Sequence, residues 1–291
     1  MSVATIALLH PGEMGAPVGQ CLRTAGARVL WVASGRSQAS RLRAQSAGLE
    51  QQDSLREALA IASHVICICP PDSAVETAQS VAKLKFRGIY VDANALAPAT
   101  TRDVGAIVET NGATFVDGGI IGLPPTAPGV CRLYLSGAQA GDVARLFERS
   151  VLDTVVLDGG IGAASALKMC YAAWNKMSLL LLASVRAVAE HEGVQQALMH
   201  EWRITQPALA KRLDYSISNA RKAWRWSGEM EQIASTFSSA GVPPGFPLAA
   251  AEICHRLAVF KDRPDIRWEQ VIAALTGEQG AAAGAGGGRA S

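Results

Sequence analysis

The chain has 291 residues, 49% of them apolar and 18% charged, enough apolar material for large cores and too much for extended disorder. Lysine and arginine number 27 against 25 aspartates and glutamates, a net charge of +2 that lacks the basic excess of a dedicated nucleic-acid or membrane-surface protein. At roughly 100–200 residues per domain the length predicts two domains, and no apolar run approaches the roughly 20 residues of a bilayer span.

The first predicted element is the apolar run Val3–Leu9. No basic stretch precedes it, and Pro11 and Gly12 follow at once, so no secretory signal is expected. Helical pattern resumes over Met14–Thr24. Further strand candidates are Arg28–Ala33, Val65–Cys69, Ile89–Val91, Thr114–Val116, Arg132–Leu135 and Thr154–Leu157. They are rich in Val, Ile and Leu and mostly lack alternation, which is how strands buried on both faces of a parallel sheet read. Between them lie helical stretches at Gln38–Ala47, Ser54–Ala62, Ala74–Ala82, Pro98–Thr110 and Gly141–Phe147. Strand and helix in alternation make βαβ units.

After Gly162 the pattern changes. Residues 163–192 form one helical stretch without Pro or Gly, apolar on most sides, and hence expected to be buried between domains or subunits. Shorter helices follow, broken at Pro207, Gly228, Gly241–Pro247 and Pro264, and the Gly/Ala-rich end of the chain is expected to be disordered. The reading is therefore α/β: a Rossmann-type doubly wound parallel sheet over 1–162, an all-α domain over 163–276, and a disordered tail over 277–291.

The six cysteines form no C-x-x-C pair and sit among apolar neighbours, as reduced thiols of a cytoplasmic protein do. Cys67 and Cys69 share one face of their strand and read as core thiols. The five histidines show no H-x-x-x-H or H-E-x-x-H spacing, so no metal site is expected.

The segment His10-Pro11-Gly12-Glu13-Met14-Gly15 lies where a Gly-rich phosphate loop belongs, between a strand and a helix whose N-terminus favours a pyrophosphate. Gly12 permits close backbone approach and Gly15 close packing of helix on strand, although His10 stands where the first glycine of G-x-G-x-x-G is expected. After the second strand comes Ala33-Ser34-Gly35-Arg36-Ser37, with no carboxylate to hold a ribose 2′-hydroxyl. An arginine and two hydroxyls suit a 2′-phosphate, so NADP(H) is expected rather than NAD. A strand–turn–helix corner and a solvated loop charge are the plain alternatives for these two segments.

Taken together, these segments resemble the β-hydroxyacid dehydrogenases and the related 6-phosphogluconate dehydrogenase and imine reductase enzymes. Gly12-Glu13-Met14-Gly15 fits the second half of their G-x-G-x-M-G loop. Cys69-Pro70-Pro71 matches the proline-containing loop that approaches the nicotinamide, and Asp92-Ala93-Asn94 the segment near its ribose. Asp117-Gly118-Gly119-Ile120-Ile121-Gly122 aligns with the substrate segment, and Gly160-Ile161-Gly162 with Lys168 matches the stretch bearing the catalytic lysine. The resemblance covers residues 3–195, and the part beyond looks like a divergent helical domain of bacterial phosphogluconate-dehydrogenase-like proteins. It implies that the Pro11–Gly15 loop, Pro70, Pro71 and Asn94 meet the cofactor, alongside Ser34, Arg36 and Ser37 from the second-strand reading, with His10 either touching the cofactor or only turning the corner; that Gly119, Ile121 and Gly122 meet a small-molecule substrate; and that the site lies in a cleft between the domains. A homodimer is expected. Ile121 stands in place of a carboxylate-gripping serine, Ala172 in place of an asparagine, and Gly228 in place of a lysine, so a more apolar pocket is expected.

Hydride transfer to a carbonyl leaves negative charge on oxygen, which a cation or proton donor stabilises. Lys168 lies among apolar residues that would lower its pKa by desolvation, unless its stem merely lies on apolar surface with the amine in water. Tyr171 shares its helix face, Asn175 lies two turns on, and Lys176 reads as a surface charge. Trp202, Trp224 and Trp226 either pack a core or line an apolar cleft. The reading is an NADP(H)-dependent oxidoreductase with Lys168 as acid/base and Tyr171 and Asn175 as candidate helpers. An imine reductase, whose family usually has Asp or Tyr at the Lys168 position, and a non-catalytic NADP-binding scaffold remain as alternatives.

Overall fold

The computed structural model describes residues 3–209, 212–213, 219–261, 263 and 265–277. The expected break at Pro264 and residues 278–291 of the expected tail lie outside the described residues. The chain divides into two compact units, residues 1–171 and 172–291, where the sequence pattern placed the change after Gly162.

The first unit carries an eight-stranded sheet of β1 (Thr5–Leu9), β2 (Arg28–Val32), β3 (Glu50–Gln52), β4 (His64–Cys67), β5 (Ile89–Asp92), β6 (Thr114–Gly122), β7 (Cys131–Ser136) and β8 (Asp153–Val156), in the order β3-β2-β1-β4-β5-β6-β7-β8. Its helices are α1 (Gly15–Thr24), α2 (Gln38–Ser46), α3 (Leu55–Ile61), α4 (Ala74–Lys83), α5 (Pro98–Glu109), α6 (Ala140–Arg145) and α7 (Ala163–Ala172), the last running one residue past the unit boundary. Both sheet faces are buried, as the unalternating apolar runs require. Along β1, Ile6 and Leu8 join one core with Leu22, Trp31, Ile66 and Phe147, while Ala7 and Leu9 join the other with Leu30, Val65, Tyr90 and Phe115.

Two features depart from the sequence reading. The strand β3 is missing from it, because Glu50-Gln51-Gln52 is a short polar edge strand with no apolar signal. The sheet is also not wholly parallel: β6 runs on to Gly122 and pairs antiparallel with β7, Gly119 opposite Tyr134. A parallel crossover needs a dozen or more residues, usually helical, and the proline-rich segment 123–130 is too short for one. The other strand pairs, β7 with β8 included, are parallel.

Among the described residues the second unit is helical: α8 (Ser178–His191), α9 (Gln195–Thr205), α10 (Ser227–Ser239), α11 (Gly245–Leu257) and α12 (Trp268–Thr276). The uninterrupted helix expected over 163–192 is instead α7 and α8 with a π-helical turn at Ala173–Met177 between them, an irregularity that apolar periodicity does not encode. No described helix is long and apolar enough to cross a membrane.

Candidate functional site

In an open α/β sheet, ligands bind outside the carboxyl ends of the strands where the strand order reverses. Here that point lies between β1 and β4. The β1–α1 loop begins with His10 at φ 73, a left-handed conformation that glycine adopts freely and a residue with a Cβ adopts under strain. Gly12 N–H donates to His10 O at 2.8 Å, and a Cβ on Gly12 would meet open space. A Cβ on Gly15 would run into the His10 carbonyl, so glycine is required there. No side chain caps the first turn of α1. Pro11 is buried, Met14 half-buried and Glu13 exposed.

At the end of β2, Ser34 and Ser37 are exposed and Arg36 is half-buried. The Arg36 Nε is sealed from solvent without a hydrogen-bond partner. Burial lowers the pKa of this guanidinium, and the nearby Cys69 and Cys67 sulfurs oppose that shift. The Ser37 hydroxyl has a local task that the sequence reading did not assign: it caps α2 by accepting from Ser40 N–H at 3.3 Å.

The ends of β4 and β5 are stitched by Asn94, which is 3% exposed. Its Oδ1 accepts from Cys69 N–H at 2.5 Å, and its Nδ2 donates to Asp92 Oδ2 at 2.8 Å and to Cys67 Sγ at 3.6 Å. The Asn94 side chain thus holds the segment leading into Pro70 and Pro71. Burial pushes the pKa of Asp92 up to about 7, against the pull of its two hydrogen bonds from Asn94.

The β6–α7 junction is built on Asp117, a fully buried carboxylate. Its Oδ2 accepts from Ser136 Oγ at 2.9 Å, Gly162 N–H at 2.9 Å and Ser165 N–H at 3.1 Å, and its Oδ1 from Ser165 Oγ at 2.6 Å. Ser136 Oγ in turn accepts from Ala164 N–H at 3.1 Å. The N–H groups of the first turn of α7, which have no partner inside the helix, are met by side chains of β6 and β7. A carboxylate at a helix N-terminus also opposes the positive end of the helix dipole. Sequence reasoning noted Asp117 only as the start of an aligned segment. Its partners lie 19 to 48 residues away, and no local pattern connects them.

Two residues along β6, on the same face, is Gly119. A Cβ there would lie 2.7 Å from Ala164 O and 3.2 Å from Lys168 Cβ, so glycine is what lets α7 rest directly on the strand. Gly119 and Lys168 are thereby brought together, as the aligned segments require. Lys168 is half-buried, Ile121 buried at 7% exposure and Tyr171 46% exposed. Gly122, at φ 124, ends the strand where a Cβ would strike Val130 O. Asn175 is half-buried in the π-helical turn of the second unit.

One expectation in the second unit is corrected. Lys176 is not a surface charge: it pairs with buried Glu229 and lies 5.2 Å from the Trp226 ring centre. Its partner is 53 residues away, beyond the reach of helical spacing. Trp224 and Trp226 are half-buried rather than core.

A sheet of this order, with a glycine loop at its switch point and a lysine helix seated on its sixth strand, defines the class of dinucleotide-fold proteins. Residues 5–155 match the model of the NAD binding domain of 6-phosphogluconate dehydrogenase, and residues 189–257 that of a domain of unknown function, DUF1932. The chain belongs to the 6-phosphogluconate dehydrogenase-like β-hydroxyacid dehydrogenase family. It is 27% identical over 165 residues to an uncharacterized 28.5 kDa protein of Methanothermus fervidus, covering 57% of this chain and 63% of that relative's length. The fold is similar to that of Mycobacterium tuberculosis 3-hydroxyisobutyrate dehydrogenase, with TM-score 0.70 and 20% identity over 94% of this chain and 99% of that one. It is also similar to a reductive aminase from Aspergillus terreus solved with NADPH and ethyl levulinate, with TM-score 0.56 and 17% identity over 93% and 99% of the two chains. At these identities the two structures establish a shared scaffold.

Proposed function

We propose that this protein is an NADP(H)-dependent oxidoreductase of the β-hydroxyacid dehydrogenase type, acting on a small hydroxyacid-like or carbonyl substrate. The observation that carries the reading is the seating of Lys168 on Gly119, on a helix whose first turn Asp117 holds in place. The residues of the first unit fit the dinucleotide: an uncapped helix start, open space at Gly12, and the sealed, unpartnered Arg36 Nε at the end of β2. The 10–15 loop and the start of α1 would hold the pyrophosphate, and Arg36, with Ser34 and Ser37 beside it, the 2′-phosphate.

When bound, the nicotinamide supplies or accepts the hydride. Lys168 stabilises the oxygen that gains charge and delivers a proton to it, and in the oxidative direction its neutral amine takes the hydroxyl proton. The Pro70–Pro71 segment, fixed by Asn94 through Cys69 N–H, would bound the ring's position. Tyr171, exposed one helical turn beyond Lys168, would help orient the substrate, and Ile121 and Gly122 would shape its pocket. Exposed Leu181 and Val188 on α8 support a homodimer.

Apolar Ile121 in place of a carboxylate-gripping side chain favours a second reading, reduction of an imine. The discriminating experiment assays the protein with NADPH against 3-oxoacids and cyclic imines, and with NADP against 3-hydroxyacids. Turnover of an oxoacid or hydroxyacid is expected, and Lys168→Ala should lower kcat by about 10²–10⁴-fold while leaving NADPH affinity unchanged. Turnover of imines alone moves the assignment to the second reading. Turnover of neither leaves a cofactor-binding scaffold.

A further inference from the structure

The fold brings together three side chains that linear spacing keeps apart. His10 follows β1, Cys67 ends β4, and Cys69 lies two residues on. One ligand atom of each lies within 4.8 Å of the others. The sequence reading expected no metal site, because it searched for paired motifs within one segment, whereas here the parallel pairing of β1 with β4 sets Leu9 against Cys67.

Four observations bear on what this cluster is for. The two sulfurs are 3.7 Å apart. Two thiolates on a tetrahedral zinc ion, with Zn–S bonds of about 2.3 Å, stand about 3.8 Å apart. In the same geometry the imidazole nitrogen stands about 3.5 Å from each sulfur, so it must close by at most about 1.3 Å. His10 keeps a strained φ of 73 where glycine would be relaxed, so the position retains an imidazole at a conformational cost. Its Nδ1 is sealed from solvent without a well-formed hydrogen bond, and the Cys67 thiol beside it is the donor at hand. A sealed imidazole nitrogen next to a thiol can keep that weak donor or exchange its proton for a metal. A disulfide suits the pair less well, because residues i and i+2 of extended chain have Cα atoms about 6.6 Å apart, near the limit for a disulfide and beyond its usual 5.5–6 Å.

We propose that His10, Cys67 and Cys69 form a binding site for a zinc-class divalent ion, with the fourth coordination position open. Two sulfurs and an imidazole suit a borderline-soft cation, and three protein ligands with an open fourth position is the arrangement of a reactive rather than a purely structural zinc site. Binding exchanges two thiol protons for the ion, and two thiolates with a neutral imidazole cancel its charge. The bound ion would tie the β1–α1 loop to the segment carrying Pro70 and Pro71. The proposal does not rest on the cofactor reading, since it needs only the three ligands.

The test uses the full chain, reduced and freed of metal with a chelator, titrated with Co²⁺ without oxygen. One equivalent is expected to bind with a thiolate-to-cobalt charge-transfer band that Zn²⁺ bleaches, and Zn²⁺ is expected to release about two protons in weak buffer. Cys67→Ser/Cys69→Ser should abolish the band. His10→Gly, which relieves the backbone strain and so should fold at least as well, should weaken Co²⁺ binding at least about tenfold. The proposal is overturned if no charge-transfer band forms, if the double serine variant keeps the wild-type spectrum, or if His10→Gly binds Co²⁺ as tightly as the wild type.

Discussion

Asp92 and Asp117 sit side by side in the sheet, register partners across β5 and β6, and both are buried. Asp117 gathers donors from Ser136, Gly162 and Ser165, two of them backbone N–H groups at the start of α7. The hydrogen bonds of Asp92 come from one neighbour, Asn94, and burial raises its pKa to about 7. The same contrast separates the regions the two residues serve. At the β6–α7 junction the polar groups are met from within the protein. Around the ends of β1, β2 and β4, the sealed Nδ1 of His10 and Nε of Arg36 make no well-formed hydrogen bond within the protein. A closed network fixes a geometry, here that of α7, while an open one leaves polar atoms that a ligand can satisfy.

The contrast can be broken at its closed side first. Asp117→Ala strands the two N–H groups and two hydroxyls that it accepts, and should cost about 4 kcal/mol in denaturant unfolding. A loss below about 1 kcal/mol would mean that water replaces the carboxylate and that α7 is not held from β6. Gly119→Ala asks for less. Its methyl would press on Ala164 O and Lys168 Cβ, so we expect a loss of about 1–3 kcal/mol, with turnover falling more than coenzyme affinity. Wild-type stability with unchanged turnover would show that α7 does not rest on the strand.

The open side is sharpened by pH. Folded Asp92 keeps its proton up to about pH 7, whereas the unfolded chain releases it near the ordinary value of 3.8. Between those values the unfolded state binds fewer protons, so stability falls as pH rises, by roughly 1 kcal/mol per pH unit from this group. The contribution is complete below about pH 4 and gone above about pH 7. Asp92→Asn should flatten that part of the stability–pH curve, and an unchanged slope in urea melts across pH 4–7 would place the titration elsewhere.

Much of the scaffold was legible because parallel strands write themselves as unbroken Val, Ile and Leu runs. The runs at Val3–Leu9 and Val65–Cys69 needed no partner to be recognised, and they became β1 and β4. The polar edge strand Glu50–Gln52 offered no such signal, and its pairing with β2 exists only in the fold. The antiparallel turn at Gly122 was readable in principle, since three prolines stand where a crossover helix would be needed. The glycine loop and the helix that carries Lys168 were legible because their patterns are local. The site was not legible where side chains meet across the sheet. The Asp117 network, the Lys176–Glu229 pair and the meeting of His10 with Cys67 and Cys69 all depend on contacts across more than fifteen residues of chain. Periodicity assigned Cys67 and Cys69 to one face but not what that face meets.

The most direct test of the dinucleotide reading is a binding titration of the wild-type protein with NADPH and NADH, repeated on Arg36→Ala. Saturable NADPH binding is expected, weakened at least about tenfold by the substitution, with NADH affinity unchanged. Wild-type protein that binds neither coenzyme would contradict the account at its root.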